Sequence, residues 1–129
     1  MNTESGKMRS FTDIIAWQEG HKIVLEIYKV TKSFPKEELF GLVSQMRRCS
    51  VSITSNIAEG FGRSSYKEKT QFYFIALGSV TELQNQLLIA RDVGLLTKND
   101  FSELANRLVS VHKLINGLIK GAKKIPVEV

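Results

Sequence analysis

Proline and cysteine are both scarce in this 129-residue chain, which has two of the first and one of the second. Pro35 and Pro126 fall at breaks in the apolar pattern, so nothing interrupts long helices between them. The lone Cys49 has no second cysteine to pair with, which excludes an internal disulfide and a cysteine-rich metal site and fits a reducing compartment. No apolar run approaches the roughly 18 residues that a membrane span needs. Met1 to Ser10 carries Lys7 and Arg9 but no apolar stretch of the kind that opens a secretory signal. The expectation is a cytoplasmic protein without membrane contact.

What is present suits an ordinary folded domain. Hydrophobic residues make up 43% and charged residues 24%, far from the balance of a disordered chain. One domain of this length buries roughly two-thirds of the surface that its unfolded chain exposes. Apolar residues recur at steps of three and four in four segments, the period of a helix face. The first, residues 11–32, carries Ile14, Trp17, His21, Val24, Leu25 and Tyr28, with Thr12 and Asp13 as candidate caps and Ser33-Phe34-Pro35 as its stop. The second, 36–60, gathers Leu39, Leu42, Val43, Met46, Cys49, Ser50, Ile53 and Ile57 on one side.

Gly60-Phe61-Gly62 then breaks the pattern, and Ser65 stands three residues before Glu68, the spacing of a capping box. The third segment, 65–93, carries Phe72, Ile75, Ala76, Ser79, Leu83 and Leu87 and stops at Gly94. The fourth, 98–122, is opened by Thr97 or Asp100 and presents Leu104, Leu108, Val111, Ile115, Leu118 and Ala122. The fold expected is all-α, an up-and-down antiparallel four-helix bundle over residues 11–124, because short connections force neighbouring helices antiparallel. Residues 1–10 and 125–129 are expected as tails.

Catalytic and metal chemistry find little support. His21 and His112 are the only histidines, and neither has an acidic residue three or four positions away to orient it. Carboxylate-bridged metal sites in bundles use Glu-x-x-His, and Glu59, Glu82 and Glu103 lack the histidine. Gly60-Phe61-Gly62-Arg63 lacks the preceding strand and full glycine pattern of a phosphate-binding loop. The reading is a non-enzyme with no cofactor and no metal.

Two polar stripes remain. Gln45, Arg48, Ser52, Ser55, Asn56 and Glu59 share the side of the second segment opposite its apolar sector. Short hydrogen-bonding side chains of this kind suit a partly buried polar seam against the third helix or a neighbouring subunit, the alternative being an exposed face of weak helix formers. Glu59 and Arg63, one turn apart, would fix the corner between helices two and three. Positive charge gathers near the end of the chain. The net charge is +5, and from Leu104 to Lys124 the charged residues are Arg107, Lys113, Lys120, Lys123 and Lys124 with no acid among them. Lys113, Lys120 and Lys124 share one face with Asn116, a candidate phosphate-contact surface. Lysines near a helix C-terminus also complement the helix dipole.

The stretches Phe34-Pro35-Lys36-Glu37-Glu38, Gln45-Met46-Arg47-Arg48, Asn56-Ile57-Ala58-Glu59-Gly60 followed by Gly62-Arg63, and Gly78-Ser79-Val80-Thr81-Glu82-Leu83 carry a resemblance. Over residues 11–122 the chain resembles the four-helix bundle proteins encoded in intervening sequences of bacterial large-subunit ribosomal RNA genes. Its matching residues are Gln45, Arg48, Ser52, Asn56, Glu59, Gly60, Arg63, Gly78, Ser79 and Glu82. Ser50 stands where the family more often has alanine, which is expected to loosen packing slightly.

The resemblance implies a ring-like homo-oligomer, a pentamer. It also implies kinship with the accessory protein of diversity-generating retroelements, a basic bundle that binds a reverse transcriptase and nucleic acid. The functional expectation is an oligomeric bundle that binds RNA or DNA, or a ribonucleoprotein, through its lysines; the alternative is a scaffold that docks a partner protein. Gly78, inside a helix, costs about 1 kcal/mol relative to alanine, and close approach of another helix is expected there.

Overall fold

The computed structural model describes residues 8–123. They form four α-helices: α1 (Ile15–Thr31), α2 (Ser44–Phe61), α3 (Tyr66–Asp92) and α4 (Lys98–Lys123). There is no strand among the described residues. α1 packs on α2 and α4, and α3 packs on α2 and α4, so α1 and α3 lie across the diagonal of an up-and-down bundle. The core is a layered column of aliphatic side chains, with Ile23 and Ile27 from α1, Ile53 and Ile57 from α2, Leu83 and Leu87 from α3, and Leu108 and Ile115 from α4, all buried.

The helix ends follow local chemistry, with two differences from the sequence expectation. The first helix does not begin at residue 11. Phe11–Asp13 is a single 3₁₀ turn, and Ile14 is extended before α1 starts. Ser10 caps that 3₁₀ turn, and α1, with Ile14 at its N-cap, has no side-chain cap, so neither Thr12 nor Asp13 caps it. The Ser10 hydroxyl accepts from the Thr12 N–H at 3.2 Å, and the Asp13 carboxylate reaches back to accept from the Arg9 N–H at 3.0 Å, satisfying donors that a helix start leaves unpaired.

The second helix does not run unbroken from residue 36. Lys36–Glu38 is a 3₁₀ turn and Leu39–Val43 a π-helical turn, with Gly41 at φ −110°, ψ −109°. That backbone lies outside the helical region, so the chain kinks and α2 proper begins at Ser44. Ser65 caps α3 by accepting from the Glu68 N–H at 3.2 Å, Thr97 accepts from the Asp100 N–H at 3.1 Å, and Gly94 makes the α3–α4 turn at φ 82°.

The buried face of α1 is displaced by one residue from the stripe that periodicity selects. Ala16, Gly20, Ile23, Ile27 and Val30 are buried, whereas His21, Leu25 and Tyr28 are exposed. One residue is a rotation of about 100°. Gly20 accounts for the choice: a Cβ there would lie 3.1 Å from Thr54 Cγ2 and 3.6 Å from Ile53 Cγ2, so its bare backbone lets α2 approach on that side. Ser50 is fully buried, and its hydroxyl donates to the Arg47 carbonyl at 2.9 Å, leaving no unpaired group to disturb the packing.

Candidate functional site

The α2 polar stripe divides into a seam and a corner. At the seam, Ser52 Oγ lies 2.8 Å from Ser79 Oγ on α3. Asn56 Nδ2 donates to the Ser52 carbonyl at 2.8 Å and to its hydroxyl at 3.1 Å. One turn earlier, the Cys49 thiol donates to the Ser79 carbonyl at 3.0 Å and approaches Glu82 Oε1 at 3.5 Å. Burial, reinforced by the neighbouring Glu82 carboxylate, pushes the thiol pKa up to about 12, so Cys49 carries no reactive thiolate near neutrality. Ser52, Asn56, Ser79 and Glu82 thus meet across α2 and α3.

Gln45 and Arg48 are exposed. They flank a cleft of about 290 Å³ between α2 and α3 with Cys49, Ser52 and Glu82. At the corner, Arg63 donates to Glu59 at 3.1 Å, and its guanidinium lies 4.8 Å from the centre of the Phe72 ring. This exposed pair contributes little to stability by itself.

The α4 stripe is narrower than the sequence suggests. Arg107 donates to Glu103 at 3.4 Å in an exposed pair one turn apart, so it shares its charge with the acid just before the acid-free run. Lys113, Lys120 and Lys123 are exposed and make no ion pair among the described residues; Lys124 lies outside the described residues. Asn116 does not stand free among the lysines, since its amide lies 3.2 Å from His112 Nδ1. Asn106, Ser110, Lys113, Gly117 and Lys120, all exposed, instead follow one another at steps of three and four along the outer face. The stripe reads as small and amide residues leading into lysines.

Two features escaped the sequence reading. Lys69, at the start of α3, donates to the carbonyls of Phe61 at 2.7 Å and Gly60 at 3.3 Å. It thereby caps the C-terminal end of α2, and desolvation lowers its pKa. The second feature is a groove of about 620 Å³ between α1 and α2, lined by Tyr28, Leu39, Phe40, Val43, Val51 and the two arginines Arg47 and Arg48. Arg47 lies 4.6 Å from the centre of the Tyr28 ring and donates to Thr31 Oγ1 at 3.0 Å. Phe40, on the kinked turn, is 94% exposed. The signal for this groove was the second apolar face of α1 together with the adjacent Leu39-Phe40.

Among the described residues no three His, Cys, Asp or Glu side chains converge as a metal site, and no helix is long and apolar enough to cross a membrane. His21 stacks on Trp17, ring centres 4.8 Å apart, with no acid joined to it.

These observations define the class: an antiparallel four-helix bundle whose polar residues form an interhelical seam and surface stripes. The family model described as "23S rRNA-intervening sequence protein" matches residues 12–117, and the chain belongs to that family. Among solved structures it is similar to a crystal structure from Bacteroides thetaiotaomicron VPI-5482, described as a protein with unknown function from the S23 ribosomal protein family. The two share 22% identity over 84% of this chain and 98% of that one, with a TM-score of 0.77, a likeness of fold. No curated protein matches the chain.

Proposed function

We propose that this protein is a non-enzymatic, homo-oligomeric bundle that binds structured RNA, or a ribonucleoprotein, through sequence-independent phosphate contacts along α4. The observation that carries the reading is the acid-free outer stripe of α4, where Lys113, Lys120 and Lys123 are exposed and unpaired among the described residues. The small side chains at Ser110 and Gly117 let a phosphate backbone come close, and lysines act on it as point charges. The family resemblance supports self-assembly, a pentameric ring in particular.

Titration of a labelled RNA hairpin against salt tests this. The logarithm of the binding constant is expected to fall linearly with the logarithm of salt concentration, and K113E/K120E should weaken binding and flatten the slope by about one ion per lysine. Binding that ignores salt, or survives that double charge reversal, overturns the reading. The α1–α2 groove favours a second reading, a scaffold that docks a partner protein. Co-purification of a protein partner that survives nuclease treatment and is lost in Phe40→Ser would support it over the first.

A further inference from the structure

The end of the bundle where α1 and α3 begin and α2 and α4 finish holds a cavity of about 250 Å³. Ile14, Phe61, Leu118 and Ala122 give it apolar walls. An apolar site of about 150 Å³ is enough for benzene, so this one has room for a six-carbon ring with a short chain attached. Gly117 and Gly121, one turn apart on α4, also line it. Both are exposed, and a Cβ on either would meet nothing within 4 Å, so bare backbone keeps the mouth open. Gly117 belongs both to this mouth and to the lysine stripe.

Two polar side chains interrupt the apolar lining, Lys69 and Tyr73, one turn apart on α3. Tyr73 is 4% exposed, and burial pushes its pKa up. Its hydroxyl has no hydrogen-bond partner among the described residues, although a buried hydroxyl is ordinarily paired. Lys69 uses two of its three N–H groups on the carbonyls of Gly60 and Phe61. It makes no ion pair among the described residues, and desolvation lowers its pKa. Gly60 sets both groups in place: its carbonyl accepts from Lys69, and its missing side chain lets the Tyr73 ring lie against α2. A carboxylate satisfies the pair together, one oxygen accepting from the Tyr73 hydroxyl and the other from the third Lys69 N–H.

We propose that this cavity binds a small monocarboxylic acid with an apolar body the size of one ring. The carboxylate lies between Lys69 and Tyr73, and the body packs on Ile14, Phe61 and Leu118. Charge decides the class of ligand, since the apolar walls end on a cation and a hydroxyl donor rather than on more hydrocarbon. One lysine balances one negative charge, whereas a phosphate monoester carries up to about two, and the walls offer nothing to a sugar. The site does not depend on RNA binding, so its test and the hairpin titration can fail separately.

Isothermal titration of the full chain with phenylpropionate tests the proposal, with phenylpropionamide as a neutral ligand of the same shape. One saturable site is expected for the acid, and about tenfold weaker binding for the amide. Tyr73→Phe should weaken the acid about tenfold. The same variant should leave the urea midpoint of the free chain unchanged or higher, because the hydroxyl that it removes has no partner among the described residues. Gly121→Leu fills the mouth and should abolish binding of both ligands while keeping the helical circular dichroism of the wild type. Lys69→Met should remove the preference for acid over amide, which repeats the test if Gly121→Leu folds poorly. No saturable binding of the acid, or equal binding of acid and amide by the wild type, overturns the proposal. A Tyr73→Phe variant that binds the acid as the wild type does, or that loses stability because the hydroxyl serves the fold, overturns it as well.

Discussion

Replacing Gly60 by alanine adds one methyl group, yet the structure gives it nowhere to go. A Cβ on Gly60 would lie 2.5 Å from Tyr73 Cε1, 2.8 Å from Tyr73 Cδ1 and 3.1 Å from the Lys69 carbonyl oxygen. The Tyr73 ring is buried and the carbonyl is main chain, so neither yields without moving α3 away from α2. Forcing an extra carbon into such a site costs about 1–3 kcal/mol. The same change also removes flexibility from the unfolded chain and favours helix, a gain of about 1 kcal/mol. Gly117→Ala isolates that gain, because its Cβ meets nothing within 4 Å and it too lies inside a helix.

Subtracting one variant from the other therefore cancels the backbone effect and leaves the packing cost. Urea unfolding followed by circular dichroism should place Gly60→Ala below Gly117→Ala by about 1–3 kcal/mol, with Gly117→Ala above the wild type. At about 3–5 °C per kcal/mol for a chain of this length, the melting temperatures should separate visibly. Equal stabilities, or both variants gaining alike, would show that α2 and α3 are not in contact at Gly60 and would refute the packing argument.

Four further outcomes follow from the seam and the caps. Ser52→Ala should cost more than Ser79→Ala, about 1–2 against about 1 kcal/mol, because the Ser52 hydroxyl meets both Ser79 and Asn56 and its loss strands two partners; denaturation of the two variants and the double mutant measures the coupling. The Cys49 thiol should resist alkylation in the folded chain at pH 8 and react on addition of denaturant. Its folded pKa, raised from 9.0 to about 12, means that it contributes stability in full below about pH 9 and loses it as pH rises toward 12. Glu82→Gln removes a charge that raises this pKa, so it should lower the pH at which alkylation begins, read from the rate against pH. Lys69→Met should destabilise by about 1 kcal/mol, since the carbonyls of Gly60 and Phe61 lose their donor, and amide exchange should rise first in the last turn of α2.

The number of helices, and the positions of the α2–α3 and α3–α4 breaks, were legible because punctuation residues state them locally. Ser65 and Thr97 cap, and Gly94 turns, as their spacing implies. The face of α1 was not legible, since Trp17-His21-Leu25-Tyr28 and Ile23-Ile27-Val30 both fit a helical period. The choice between them was made by Gly20 against Thr54 and Ile53, a contact between segments far apart in sequence. The kink at Gly41 was hidden for a related reason: Leu39, Leu42 and Val43 continue the period on either side of it, and only the backbone angles reveal the break. The α2 seam was half legible. Short polar residues marked it, but that Ser52 would find Ser79 and not water depends on how α3 docks.

The glycines separate what the chain does for itself from what it leaves to another molecule. Gly20 and Gly60 each stand where a neighbouring helix leaves no room for a side chain, so their cost to helix formation is offset by closer packing within the bundle. Gly78 and Gly117 have open space where a Cβ would be, and no contact among the described residues offsets theirs. They lie on two outward stripes that nothing among the described residues covers, Gly78 amid the apolar face of α3 and Gly117 among the lysines of α4. A helix keeps a residue that weakens it when something must come close to its backbone. For Gly78 the stripe's apolar, nearly neutral surface fits another helix; for Gly117 the flanking lysines fit a phosphate chain. Gly78→Gln should therefore abolish assembly and leave RNA binding per chain unchanged, while Gly117→Gln should weaken RNA binding and leave the mass in solution unchanged. A single variant that abolished both would mean that assembly and RNA binding share one surface and that the α3 and α4 faces do not act separately.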